Sequence, residues 1–189
     1  FSRRQRQMCI RDRYEHFERD ESVPRTTIGA QQLFLALMKE RAETGRIYIM
    51  NIDHCNSHSS FTVPVYMSNL CQEITLPTRP LTHIDDPNGE ISLCILSAIN
   101  VGKLRRLDEL ESLCDIAVRA LDELIDYQGY PVKCAERATK ARRSLGVGFI
   151  GLAHYLAKHG EQYDTGGSLS LVHELTEAFQ YYLIQASNN

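Results

Sequence analysis

The sequence predicts an α/β fold, and three observations carry that prediction. A helix-spaced apolar pattern over residues 26–42 runs directly into residues 46–52, which are apolar on both faces, as a strand buried on both sides requires. Residues 90–101 alternate as a second strand, and apolar stripes at helical spacing fill the chain from Leu107 onward. A helix followed by a strand buried on both sides points to α/β architecture.

In chain order, residues 1–13 are basic and lack apolar periodicity, and Met8-Cys9-Ile10-Arg11-Asp12 reads like translated sequencing-adapter sequence. They are expected to be a non-native or disordered leader, and Cys9 is given no role. The expected domain is residues 14–189, truncated at both ends, since no methionine opens the chain and a helical pattern is still running at Asn189. From Thr26 or Thr27, either of which can cap a helix, Ile28, Leu33, Phe34, Leu37 and Met38 keep helical spacing, with Gly45 as the stop. After the strand at 46–52, Asp53-His54-Cys55-Asn56-Ser57-His58 reads as a polar turn with a buried thiol. Cys55 and His58 have ligand-like spacing, but structural zinc wants four ligands and no second pair follows at a convincing distance. Residues 59–67 form a loop.

That loop leads into Ser68-Asn69-Leu70-Cys71-Gln72-Glu73. Read as extended chain, this stretch projects Asn69, Cys71 and Glu73 from one side, a row of amide, thiol and carboxyl, while Leu70 and Gln72 turn away. Pro77 ends regular pairing soon after. Three residues alone do not decide between a reactive site and a strand end holding a buried cysteine. Residues 79–88, which include Asp85-Asp86-Pro87-Asn88, have the composition of a surface turn. Alternation along 90–101 then puts Ser92, Cys94, Leu96, Ala98 and Asn100 on one face. Taken alone, Cys94 reads as an ordinary core cysteine.

Asp108 followed by Glu111 resembles a capping box. Behind it Leu107, Leu110, Cys114, Ala117, Leu121 and Leu124, flanked by Leu113, Val118 and Ile125, form an apolar stripe at helical spacing that Gly129-Tyr130-Pro131 breaks. A further helical region is expected over about 134–158 and another from about 168 to the end. The last buries Leu171, Leu175, Phe179, Tyr182, Leu183 and Ala186, and Gly160 and Gly166-Gly167 mark the link. Gly146-Val147-Gly148-Phe149-Ile150-Gly151 matches G-x-G-x-x-G, but Lys140-Ala141-Arg142-Arg143-Ser144 before it is no apolar strand. No acidic residue ends a second strand about 20 residues later, so the glycines read as close helix packing rather than dinucleotide binding. Tyr181-Tyr182 reads as one core and one surface residue rather than a radical-carrying pair.

Composition excludes several function classes. The 189 residues are 43% hydrophobic with a net charge of −3, so the chain can bury a core and lacks the positive excess of a nucleic-acid binder. No apolar run approaches the roughly 20 residues that span a bilayer, and no signal-peptide pattern opens the chain, so no membrane role and a cytoplasmic location are expected. Six cysteines (Cys9, Cys55, Cys71, Cys94, Cys114, Cys134) without C-x-x-C pairs suggest neither a secreted disulfide framework nor a zinc ribbon. In a reducing compartment a disulfide here is catalytic before it is structural.

Function becomes legible when the segments are taken together. They are Glu40-Arg41-Ala42 with Thr44-Gly45-Arg46-Ile47-Tyr48-Ile49, Asn51-Ile52-Asp53-His54-Cys55-Asn56, and residues 68–77. Then come Gly89-Glu90-Ile91-Ser92-Leu93-Cys94 with Leu96-Ser97-Ala98, Ala117-Val118-Arg119-Ala120-Leu121-Asp122, Arg142-Arg143-Ser144-Leu145-Gly146 and Gln180-Tyr181-Tyr182-Leu183. In that order they resemble the large, catalytic subunit of class I ribonucleotide reductase, over residues 14–187. The resemblance implies part of a ten-stranded α/β barrel with flanking helices and the radical cysteine on a loop inside it.

It also implies roles. Cys71 would carry the thiyl radical, Glu73 would accept the 3′-hydroxyl proton of a ribonucleoside diphosphate, Asn69 would hydrogen-bond the substrate hydroxyls, and Ser68 would contribute to substrate binding. Cys94 would be one of two redox-active cysteines, its partner lying outside this chain. No metal or cofactor is expected on the chain itself. The parent enzyme would need a small subunit with a dimetal site and tyrosyl radical, thioredoxin or glutaredoxin as reductant, ATP and deoxynucleotide effectors, and a homodimer of large subunits. The fragment alone is expected to be inactive. Two alternatives stand beside this reading: an adenosylcobalamin-dependent reductase, which shares N-x-C-x-E, and a non-catalytic structural or interaction domain.

Overall fold

The computed structural model describes residues 14–189, so the leader assigned to residues 1–13 lies outside the described residues. The chain divides into two compact units, Phe1–Pro77 and Thr78–Asn189.

In the first unit residues 14–19 are helical and helix α1 spans Ala30–Thr44. The expected stop holds: Gly45 takes φ 64°, a left-handed conformation that costs glycine nothing, and its N–H caps Arg41 O. The expected start does not. The N-cap is Gly29, with no side-chain bond, and Thr26 and Thr27 lie before it. No residue of α1 is buried, and Leu33, Phe34 and Leu35 are each more than half exposed, so among the described residues its stripe has no cover. Arg41 reaches over the helix end to donate to Ile47 O at 2.7 Å.

The strand expected at 46–52 is absent. Residues 46–50 are irregular and Ile52–Ser57 form a short helix, α2, where a polar turn was expected. A strand exists only through the ladder it shares with a neighbour, and the described residues of this unit offer none. Helix α2 is closed by local bonds, Cys55 N–H to Asn51 O and His58 N–H to His54 O.

The second unit holds the sheet. Its elements are β1 (Ile95–Asn100), a 3-10 turn (Val101–Lys103), α3 (Glu109–Tyr127), α4 (Lys133–Arg142), β2 (Leu145–Ile150), α5 (Leu152–Lys158) and α6 (Gly166–Asn188). Strands β1 and β2 pair in parallel from Ile95↔Leu145 to Asn100↔Ile150. A parallel pair needs a long crossover, which α3 and α4 provide. The expected α/β class therefore holds, with β1 inside the strand expected over 90–101 and β2 in place of the one expected at 46–52. Residues 134–158, expected to be one helical region, contain α4, β2 and α5. The glycines of G-x-G-x-x-G belong to strand β2 and to the N-cap of α5 rather than to helix packing. The strand expected over 90–101 begins only at Ile95, and Glu90 makes an isolated antiparallel bridge with Arg79.

One face of the strand pair is covered. Ile99, Val101, Leu104, Leu110, Cys114, Tyr155, Leu175 and Phe179 form the core, with Val147 and Phe149 packed against it. Phe149 and Phe179 meet edge to face at 5.5 Å. The stripe read on α3 is largely right: Leu110, Cys114, Val118, Leu121 and Ile125 are buried, whereas Leu113 and Leu124 face outward. Burial pushes the Cys114 thiol up to about 11, consistent with packing rather than chemistry. The capping box does not form. Asp108 has helical φ and ψ instead of the extended backbone a capping side chain needs, and its carboxylate pairs with Arg106.

The turn over residues 79–90 is more than a surface loop. Asp86 is 6% exposed, and its carboxylate accepts from the Thr82 hydroxyl (2.7 Å), the Thr82 N–H (2.9 Å) and the Asn88 N–H (2.8 Å). Cys134 Sγ and Arg137 on α4 donate to Asp86 O, and buried Glu90 pairs with Arg142. After α4, Arg143 sits in the left-handed region at φ 47°. Its guanidinium binds Asp122 and Asp126 of α3, which fixes the turn into β2.

Two outcomes follow from this packing. Leu110→Ala, at a fully buried core position, costs about 2–5 kcal/mol of unfolding free energy, whereas Leu124→Ala on the outer face costs under about 1 kcal/mol; chemical denaturation compares them. The hydrogen bonds to Asp86, the Thr82 hydroxyl first, hold its carboxyl well below the usual carboxylate range. Their stabilisation is therefore present above the unfolded pKa near 4 and is lost as pH falls through the lower folded value. Asp86→Asn flattens the pH dependence of stability below about pH 4.

Candidate active site

Residues 68–74 do not form the extended row that alternation suggests. Leu70 and Cys71 occupy a turn closed by the Gln72 N–H to Asn69 O bond at 3.1 Å, with Gln72 in the left-handed region at φ 64°. Asn69, Cys71 and Glu73 therefore share one tight loop rather than one face of a strand. A left-handed non-glycine residue costs roughly 1–2 kcal/mol, which the surrounding hydrogen bonds must offset. Asn69 Oδ1 accepts the Ile74 N–H at 3.0 Å, and the Ser68 hydroxyl donates to Ile74 O at 2.6 Å. Asn69, Cys71 and Glu73 are exposed, and Ser68 is half-buried.

The approach to this loop rests on a residue whose role was not legible from sequence. The Asn56 amide binds the backbone of Val65 on both sides, Nδ2 to Val65 O and Val65 N–H to Oδ1, each at 2.8 Å. Its second Nδ2 hydrogen goes to Ile52 O at 2.9 Å. Val65 is fully buried and stands three residues before Ser68. An amide that mimics a strand partner leaves no periodicity, so only the family-like segment around Asn51 and Asn56 marked it. His58, the other half of the ligand-like spacing, places Nδ1 at 3.0 Å from His54 O. Among the described residues, no group of three or more His, Cys, Asp or Glu side chains is placed to hold a metal.

Cys94 belongs to the second unit, one residue before β1. It is half-buried, and burial pushes its thiol pKa up. Gly146 on β2 lies opposite: a Cβ there would stand 3.1 Å from Cys94 Sγ and 2.5 Å from Leu96 Cδ2. The glycine thus keeps space beside the sulfur. Tyr181 and Tyr182 make an edge-to-face pair at 5.3 Å on α6, Tyr181 62% exposed and Tyr182 packed against the core, as their spacing suggested.

Comparisons with known proteins identify the family. Residues 3–189 match the family described as ribonucleotide reductase, barrel domain. The chain is 56% identical over 179 residues to the ribonucleoside-diphosphate reductase subunit alpha of Haemophilus influenzae, which covers 93% of this chain and 24% of that protein. Against the ribonucleoside-diphosphate reductase 1 subunit alpha of Escherichia coli the identity is 54%, over 93% of this chain and 23% of that protein. The corresponding subunit of Enterobacteria phage T4 is 43% identical, over 94% and 24%. The solved class Id ribonucleotide reductase alpha subunit of Actinobacillus ureae matches with a TM-score of 0.64 at 25% identity, over 83% of this chain and 31% of that one. The chain thus spans 23–24% of the length of these curated relatives.

The contact at Gly146 gives a measurable expectation. Gly146→Ala crowds Cys94 Sγ while the exposed Leu96 side chain can move aside, so it slows alkylation of Cys94 by iodoacetamide and leaves Cys71 unaffected. The stability cost stays near the low end of overpacking, about 1 kcal/mol. An unchanged Cys94 rate contradicts the contact.

Proposed function

Because the chain belongs to the ribonucleotide reductase barrel-domain family, we propose that it forms part of the catalytic subunit of a ribonucleoside-diphosphate reductase, with the radical-bearing thiol at Cys71. The observation that supports this most is the hydrogen-bonded turn that holds an amide, a thiol and a carboxyl, Asn69, Cys71 and Glu73, within five residues.

The reaction explains those residue types. Hydroxide is a poor leaving group from an unactivated C2′, and removal of the 3′ hydrogen changes that. A thiyl radical on Cys71 takes the hydrogen because S–H and activated C–H bonds are of comparable strength. Glu73 accepts the 3′-hydroxyl proton as the 2′-hydroxyl departs as water. Asn69 hydrogen-bonds the substrate hydroxyls and so fixes their position against the thiol. Ser68 belongs to the same substrate-binding group. Cys94 and a second cysteine each give up a hydrogen and end as a disulfide; the substrate gains two electrons and releases water. The hydrogen held by Cys71 returns to C3′ and regenerates the radical. A thioredoxin- or glutaredoxin-type dithiol then reduces the disulfide by exchange.

The radical itself comes from a small partner subunit with a dimetal site, and ATP or deoxynucleotide effectors and a second large subunit complete the enzyme. Cys71 and Glu73 are exposed in this chain, so the exclusion of water that this chemistry requires falls to the rest of the subunit.

The test uses a full-length subunit carrying this sequence, with its small subunit and a dithiol reductant. Glu73→Gln lowers kcat by about 100-fold or more while nucleotide binding is retained. The 189-residue chain alone turns over no substrate. Wild-type turnover by Glu73→Gln, or turnover by the chain alone, overturns the proposal.

A further inference from the structure

Ser68 and Asn69 are adjacent, yet the two side chains are used in different ways. The Ser68 hydroxyl has one hydrogen to give. Two acceptors lie in reach, Ile74 O at 2.6 Å and Asn69 Oδ1 at 3.1 Å, and the shorter contact takes it. Asn69 Oδ1 in turn receives the Ile74 N–H at 3.0 Å. A backbone N–H can point only at an acceptor, so the orientation of the Asn69 amide is fixed: its oxygen faces the loop and its NH2 faces away. Ile74 is thus held at both its N–H and its C=O by two consecutive side chains. The loop between them has Gln72 in the left-handed region, a conformation that persists only where neighbouring bonds enforce it.

We propose that Ser68 is a positioning residue of the reductase site: by binding Ile74 O it closes the base of the loop and sets the Asn69 amide so that its NH2 is free for the substrate. This rests on the active-site reading of Asn69, Cys71 and Glu73 given above. Ser68 contributes to substrate binding through Asn69, and its own hydroxyl is already committed to the backbone. Loss of that bond lets the loop relax around Gln72 and misplaces Asn69, Cys71 and Glu73 together. Reaction rate is sensitive to such displacement even where binding is not.

The experiment measures kcat and KM in the full-length subunit with its small subunit for wild type, Ser68→Ala, Ser68→Thr, Asn69→Ala, the Ser68→Ala/Asn69→Ala double variant and Glu73→Gln. Ser68→Ala lowers kcat about tenfold with KM little changed, and Ser68→Thr, which keeps the hydroxyl, restores it. Ser68→Ala has little further effect in the Asn69→Ala background, because both act on one element. A raised KM at unchanged kcat means direct substrate contact by Ser68 and overturns the inference. So does a full, independent effect in the double variant, or no effect at all beside an inert Glu73→Gln. Full activity of Glu73→Gln overturns the active-site reading itself, and this inference with it.

Discussion

Two parallel strands have no stability of their own, and the second unit depends on the burial of one face of β1 and β2. Ile99, Val147 and Phe149 pack against Leu110, Leu175 and Phe179 of α3 and α6. This contact fixes the rest by consequence. It sets which residues of β1 face the helices and which face outward, and it places Cys94 just before the strand, its sulfur beside Gly146, whose ladder partner is Leu96. The other face, with Leu96 and Ile150, is 61% and 55% exposed. Parallel sheets are ordinarily covered on both faces, so this face stands exposed in the chain as it is.

The first unit is organised by different forces. Helices α1 and α2 have no buried residue, and order comes from side chains that bind the backbone: Arg41 to Ile47, Asn56 to Val65, Ser68 and Asn69 to Ile74. Each such bond contributes only about 1 kcal/mol net, so the loop that presents Cys71 is held by the sum of several weak terms acting in series along the chain. Such a loop combines a defined geometry with accessibility, since Asn69, Cys71 and Glu73 are all exposed.

What the sequence revealed and concealed follows the same division. Helices α3 and α6 were legible because their stripes are local and long, and the breaks at Gly45 and around Pro131 are chemical rather than contextual. Strand β2 was read as helix because Gly146 and Gly148 leave gaps in the outward-facing pattern, and the gap at Gly146 exists for Leu96 and Cys94, about 50 residues earlier in the chain. The strand expected at 46–52 was an over-reading of composition: β-branched and aromatic residues favour a strand only when a partner is present. The turn at residues 69–72 was missed because its left-handed residue is Gln72, which carries none of the usual turn signals. The candidate site residues, by contrast, were proposed from motif order alone, and geometry added how Ser68 and Asn56 hold the loop.

The central claim is that Cys71 bears the radical, and one measurement meets it most directly. Cys71→Ser is placed in a full-length subunit and assayed for ribonucleoside diphosphate reduction with the small subunit and a dithiol present. The account predicts no turnover with folding and nucleotide binding intact, since an exposed serine on the same turn keeps the loop but its O–H bond is too strong to form the radical. Turnover at the wild-type rate would make the turn at residues 69–72 mere scaffold and contradict the account.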